Sequence, residues 1–192
     1  MNAAVLLDRD GVLVEDIHLL RARQDVHILP GVPQALKTLS QAGFRLFVAS
    51  NQTVVSRGLA TEAETESLNN HINELLAAAG GARIEKFYVC FHHPQATLAR
   101  YRAACQCRKP HPGLLQSAAR EQGLDLRASF MVGDRITDVI AGVRAGCRTV
   151  LVQTGKHLEP PIKTAEPVDI SVKPDHVCAD LPSAATWILN AR

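Results

Sequence analysis

Residues 5–13, VLLDRDGVL, place two carboxylates, Asp8 and Asp10, one residue apart directly behind a hydrophobic run. Asp and Gly are common turn residues, so the stretch could be a turn and nothing more. It could equally be a catalytic carboxylate pair at the end of a buried strand. A second set of donors lies far along the chain. Cys90-x-His92, followed after twelve residues by Cys105-x-Cys107, offers three thiolates and one imidazole. Such a set suits a tetrahedral Zn²⁺ with no open position, hence a structural site. Its competitors are plain reduced thiols or a Cys105–Cys107 redox pair, and His93 carries the same chemistry as His92. Three further polar stretches, VASNQ (48–52), CRKP (107–110) and MVGDRITD (131–138), complete the candidates.

The surrounding pattern predicts what must position them. Apolar runs at 3–7, 44–50, 84–91, 129–134 and 147–155 read as buried strands, with a short one at 176–178. Between them, helical spacing covers 33–43, 61–79, 112–123 and 137–146, and a last helix starts at Pro182. Strands alternating with helices, the strands almost continuously apolar, indicate an α/β fold of Rossmann-like type: a parallel sheet with helices on both faces. One domain over 1–192 is expected, without a separate cap domain, because no interval between the polar stretches is long enough to hold one. A Pro-rich loop at 158–174 has no evident purpose. Ligands bind such sheets at the carboxyl ends of the strands. Asp8/Asp10, Ser50/Asn51 and Gly133/Asp134 fall at three of those ends, and Lys109 follows a fourth. Taken singly, each has a structural explanation: Asp134 as a helix cap, Asp138 as an acid favoured by a helix N-terminus, Lys109 as a surface lysine.

Taken in order, the four stretches resemble the motifs of the haloacid-dehalogenase-like phosphohydrolases, over residues 8–138. The resemblance implies that Asp8 attacks phosphorus to form an aspartyl phosphate. Asp10 would protonate the leaving alkoxide and then activate water. Ser50, with Asn51 beside it, would bind the phosphoryl group, and Lys109 would neutralise it. Mg²⁺ would be held by Asp8, Asp134 and the Asp10 main-chain carbonyl. The residue types suit the task, since an anionic nucleophile meeting an anionic phosphoryl group needs cations to offset both charges.

The Cys/His loop runs straight into RKPHPG, which is similar to the heptose bisphosphate phosphatases within that family; histidinol-phosphate phosphatases carry a related loop with shorter spacing. That likeness implies a small phosphorylated sugar as substrate. It assigns substrate contacts to Asp16, His18, Leu19, Asn51, Gln52, Thr53, Arg57, Arg108 and Arg135. Arg108 suits a second phosphate, because a guanidinium grips phosphate through two parallel hydrogen bonds. Leu19 stands where the family commonly has Tyr, and Val54 where it has Gly. Arg9 is expected to point away from the metal, Asp138 to act either behind the metal or only as a helix acid, and Arg21 and Arg23 to belong to a solvated loop. A zinc-stabilised phosphate-binding scaffold without activity is the non-enzyme alternative, which the joint presence of Asp8, Asp10, Lys109 and Asp134 disfavours.

Composition excludes other classes. A formal charge of +2 over 192 residues gives no support to nucleic-acid binding. No apolar run approaches the roughly 18–20 residues a membrane span needs, and the N-terminus lacks signal-peptide features. A soluble, cytoplasmic monomer is expected. Five cysteines, an odd number, do not suggest a secreted disulfide scaffold, and Cys147 and Cys178 read as inert. The TGK at 154–156 is not a P-loop, since the required Gly five positions before Gly155 is Val150 and His157 follows the lysine.

Overall fold

The computed structural model describes residues 2–159 and 169–191. Six strands, β1 (Ala4–Leu7), β2 (Arg45–Asn51), β3 (Lys86–Cys90), β4 (Phe130–Gly133), β5 (Arg148–Val152) and β6 (His176–Cys178), pair in the order β3-β2-β1-β4-β5-β6. Every pairing is parallel. Six helices accompany them: α1 (Val32–Gln41), α2 (Thr53–Ser56), α3 (Glu62–Ala78), α4 (Gly113–Gln122), α5 (Ile136–Ala145) and α6 (Leu181–Asn190).

Alternation along the strands divides the apolar residues between two cores, which explains why the strand interiors are almost continuously hydrophobic. Val5, Leu7, Leu46, Val48 and Val132 pack with Leu36 and Leu39 of α1, Leu68 and Ile72 of α3, and Ile188 of α6. Leu6, Phe47, Ala49 and Met131 point the other way, onto Leu114, Leu115 and Ala118 of α4 and Ala141 of α5. The longest helix, α3, opens with a reciprocal cap: Thr61 Oγ1 accepts from Glu64 N, and Glu64 returns a carboxylate oxygen to Thr61 N. The predicted helix stops at Gly123 and Gly146 are the residues that follow α4 and α5. No described helix is long and apolar enough to cross a membrane.

Strand order decides where a site can form. From β1 the chain passes to β2 on one side, while β4 joins β1 on the other, so the helices above their carboxyl ends diverge and leave a crevice. Asp8 N donates to Val132 O at 2.9 Å, locking the first residue after β1 to the end of β4. The short α2 was not legible in the sequence pattern; four residues are too few to show a period. Asp134 is not a helix cap, because Arg135 holds that place before α5. Most of the Pro-rich loop lies outside the described residues.

Gly11 closes the turn after β1. Its φ is +79°, its N–H donates to Val14 O at 2.7 Å, and a Cβ there would sit 2.6 Å from Asp134 Oδ2. Gly43 has the same kind of backbone, φ +88°, with nothing within 4 Å of a Cβ. Alanine at position 43 should therefore cost only the left-handed backbone, about 1 kcal/mol. Gly11→Ala should cost at least about 1 kcal/mol more, because it also drives a carboxylate aside. Urea unfolding of the two variants measures the difference; equal costs would mean that Asp134 gives way freely.

Candidate active site

At the mouth between β1 and β4 one ammonium group meets two carboxylates, with a third beside them. Lys109 Nζ lies 3.0 Å from Asp8 Oδ2 and 2.6 Å from Asp138 Oδ1. Lys109 is 2% exposed, Asp138 1% and Asp134 0%. Burial alone would lower the Lys109 pKa, but the charges of Asp138 and Asp8 hold it above its ordinary value. The acids feel the opposite strain. Burial, then the charges of Asp138 and Asp8, push Asp134 up to about 7. Burial pushes Asp138 up to about 6 against the pull of Lys109.

Oxygens of Asp8, Asp134 and Asp138 lie within 4.8 Å of one another. Asp134 Oδ2 accepts the Lys156 N–H at 2.7 Å, whereas its buried Oδ1 has no hydrogen-bond partner. With all three ionised, the carboxylates against one ammonium leave two negative charges, the amount a divalent cation balances and an excess consistent with the raised Asp134 and Asp138. An orphaned carboxylate oxygen in an all-oxygen setting fits Mg²⁺. Asp138 does more than favour a helix N-terminus: Oδ2 accepts from Arg135 N at 2.9 Å at the start of α5, and Oδ1 pairs with Lys109 at 2.6 Å.

Asp10 and Ser50 line the same crevice and are tied together by Gln52. Gln52 Nε2 donates to Asp10 Oδ2 at 2.7 Å and to Ser50 Oγ at 3.0 Å. Arg9 is 1% exposed. Its side-chain partners are Asp10, Gln52 and Asn69.

Asp16, His18, Leu19, Asn51, Thr53, Arg57, Arg108 and Arg135 line the same crevice as Asp8, Asp10, Ser50 and Lys109. His18 and Leu19 both have left-handed backbones, φ 57° and 59°, a strained turn for a leucine. Leu19 packs onto Val54, Val55, Ala96 and Tyr101, so it anchors the loop as well as facing the crevice. Asp16 braces that loop by pairing with Arg135 at 3.4 Å and Lys156 at 3.3 Å. Lys156, Glu159 and His93 also line the crevice and were missed as site residues. For Lys156 a signal existed, since it follows β5 at the same edge of the sheet. His93 Nδ1 accepts the Gln95 N–H at 3.0 Å, which leaves Nε2 to carry the proton of a neutral ring; burial, then Arg108 and Arg57, lower its pKa. Arg21 and Arg23 do not line the crevice.

The Cys/His set converges. Sγ of Cys107 lies 3.1 Å from those of both Cys90 and Cys105, Cys90 and Cys105 are 3.6 Å apart, and His92 Nδ1 is 3.5 Å from Cys107. All five cysteines are free thiols. The hydrogen bond shared by Cys90 and Cys107 pulls Cys107 down to about 5 and pushes Cys90 up. Three sulfurs and one nitrogen grouped around one point are what tetrahedral Zn²⁺ requires. His93 is excluded from the set by its bond to Gln95. The cluster also reaches the crevice: Arg108 follows Cys107 directly, and its Nη1 donates to His92 O at 3.0 Å. Lys109 is pinned by Asn51 through a reciprocal pair, Lys109 N to Oδ1 and Nδ2 to Lys109 O, each 3.1 Å.

Comparison with known proteins places the chain in a family. A family model described as HAD-hydrolase-like matches residues 106–184. The chain is 38% identical over 189 residues to the D-glycero-beta-D-manno-heptose-1,7-bisphosphate 7-phosphatase of Escherichia coli K12, covering 98% of this chain and 88% of that one. It is 37% identical over 191 residues to the D-glycero-D-manno-heptose-1,7-bisphosphate 7-phosphatase of Thermosynechococcus vestitus, covering 96% and 94%. The crystal structure of D,D-heptose 1,7-bisphosphate phosphatase from B. bronchiseptica, complexed with magnesium and phosphate, superposes with a TM-score of 0.81 at 31% identity over 99% of both chains. With identity of this extent over nearly the whole chain, the chain belongs to the heptose-1,7-bisphosphate 7-phosphatase family of haloacid-dehalogenase-like phosphohydrolases.

Proposed function

We propose that this chain removes the C7 phosphate of D-glycero-D-manno-heptose 1,7-bisphosphate by Mg²⁺-dependent hydrolysis through an aspartyl phosphate on Asp8. The observation that carries the reading is the Asp8–Lys109–Asp138 cluster with the unpartnered Oδ1 of Asp134 beside it. Asp8, Asp134 and the main-chain carbonyl of Asp10 would hold Mg²⁺, which supplies the positive charge that lets a carboxylate approach a phosphoryl group.

The rest is done by side chains. Lys109 holds Asp8 in place and presents its ammonium to the phosphoryl oxygens, with Ser50 Oγ and the Thr53 region on the opposite side. An Asp8 oxygen attacks phosphorus, the bond to the sugar oxygen breaks, and that oxygen leaves with the proton of the Asp10 carboxyl. Asp10, now a carboxylate, takes a proton from water as that water attacks phosphorus. Inorganic phosphate departs, Asp8 is regenerated, and Asp10 is again protonated. A proton supplied in this way contributes on the order of 10²–10⁴-fold.

For the distal phosphate the crevice offers Arg57, His93 and Arg108, whose buried Nε has no hydrogen-bond partner. Cys90, His92, Cys105 and Cys107 would hold Zn²⁺, which cross-links the loop that aims Arg108 and Lys109. One domain without a cap leaves this crevice open to a sugar bisphosphate.

Phosphate release across a panel tests the reading: both anomers of heptose 1,7-bisphosphate, fructose 1,6-bisphosphate, histidinol phosphate and 4-nitrophenyl phosphate. One heptose anomer should have the highest kcat/KM, and Asp8→Asn should lower turnover on every ester by on the order of 10⁴-fold without unfolding. Preference for histidinol phosphate would reassign the substrate, and an active Asp8→Asn would remove the mechanism. Cys107→Ser should lose its zinc by metal analysis and raise KM by about tenfold, since Arg108 loses its anchor. A zinc-free protein with unchanged KM would separate the cluster from substrate binding.

A further inference from the structure

Arg9 stands between the two catalytic aspartates in sequence, is buried, and has no role in the chemistry just described. Burying a guanidinium is costly unless its donors are paired, and an apolar side chain would fill the same space at less risk. Its pairing is extensive. Nε donates to Asp10 Oδ1 at 3.0 Å and Nη2 to Asp10 Oδ2 at 3.0 Å, with Nη2 also 2.9 Å from Oδ1, so the guanidinium meets both oxygens of one carboxylate. Nη2 also donates to Gln52 Oε1 at 2.8 Å, and Nη1 to Asn69 Oδ1 at 3.2 Å. Asn69 lies on α3, is 4% exposed, and does not line the crevice.

We propose that Arg9, anchored by Asn69, is a positioning residue that fixes the plane and the free edge of the Asp10 carboxyl group. A carboxylate with cations nearby would otherwise turn about its Cβ–Cγ bond toward them. The fork prevents that rotation, and Asn69 prevents the fork from following. A carboxylate accepts about four hydrogen bonds. Nε and Nη2 of Arg9 and Nε2 of Gln52 take three of those places, leaving one edge of Asp10 for the reacting oxygen. Lysine cannot replace Arg9, because one ammonium cannot meet both carboxylate oxygens and Asn69 together. In this way α3 reaches the proton-transfer step through Asn69.

The inference rests on the reading of Asp10 as proton donor, and the test separates the two. Nitrophenolate leaves from 4-nitrophenyl phosphate without needing a proton, whereas the alkoxide of a sugar phosphate needs one. First-turnover cleavage rates are measured for both esters in wild type, Asn69→Leu, Arg9→Lys, Asn69→Asp and Asp10→Asn, with thermal melting to confirm folding. Asn69→Leu and Arg9→Lys should slow cleavage of the sugar ester by about 10- to 100-fold, as a misplacement of about 1 Å can do. They should change aryl ester cleavage by no more than about twofold, and Asn69→Asp, which keeps the acceptor, should restore the sugar ester rate. Should Asn69→Leu fail to fold, Arg9→Lys is read in the same way. Equal losses on the two esters, or none, would overturn the positioning role while Asp10→Asn still shows the split. Equal slowing of both esters by Asp10→Asn would instead overturn the assignment of Asp10.

Discussion

A single buried ammonium among carboxylates is the constraint on which this molecule turns. Lys109 is enclosed with Asp8 and Asp138, and Asp134 lies against them with an oxygen left unpartnered. Taking such charges out of water costs several kcal/mol for each ion, so the group persists only because its members face one another at hydrogen-bond distance. The shared burial also explains why Asp134 and Asp138 are pushed toward neutrality while Lys109 is held charged. On the proposed reading that imbalance is functional, because the site is two positive charges short and draws in a divalent cation together with an anionic substrate.

The fold exists, in this light, to bring distant acids and one lysine to a common point. Strand order puts Asp8 and Asp134 side by side at the ends of β1 and β4, and Gly11 lets the chain turn away within contact of Asp134. Lys109 comes from a loop, which by itself could not hold a buried charge in place. Asn51 at the end of β2 clasps its backbone, and the convergent Cys/His cluster lies immediately upstream. The same cluster leads into Arg108, whose Nη1 donates to His92 O, so on the proposed reading a zinc cross-link there would set both Lys109 and the arginine proposed to meet the second phosphate.

Much of this was legible in the sequence, for physical reasons. Parallel strands buried on both faces read as unbroken apolar runs, and β1, β2 and β4 were found in that way. Asp8, Ser50 and Asp134 stood out because a polar group just after such a run must face a strand end. The Cys/His set was visible because thiolate and imidazole spacing is itself chemistry. Other features had no local signal. Strand order is a long-range property, and so is the pairing of Asp138 with Lys109. Gln52 and Asn69 are ordinary polar residues in sequence, and only the folded chain shows that they meet at Arg9. His93 looked like a spare metal ligand beside His92 until Gln95 was seen to occupy its Nδ1.

The charge deficit at Lys109 can be measured without any substrate. Thermal unfolding is followed as MgCl₂ is raised, for wild type and for Asp134→Asn. A ligand at 100 times its Kd adds about 2.7 kcal/mol, which for a domain of this size is a rise in Tm of roughly 5–10 °C. Wild type should show a rise of that order. Asp134→Asn should melt higher than wild type in the absence of Mg²⁺ and respond little to its addition. An equal response in both proteins, or no response in wild type, would contradict a cation site built from Asp8 and Asp134.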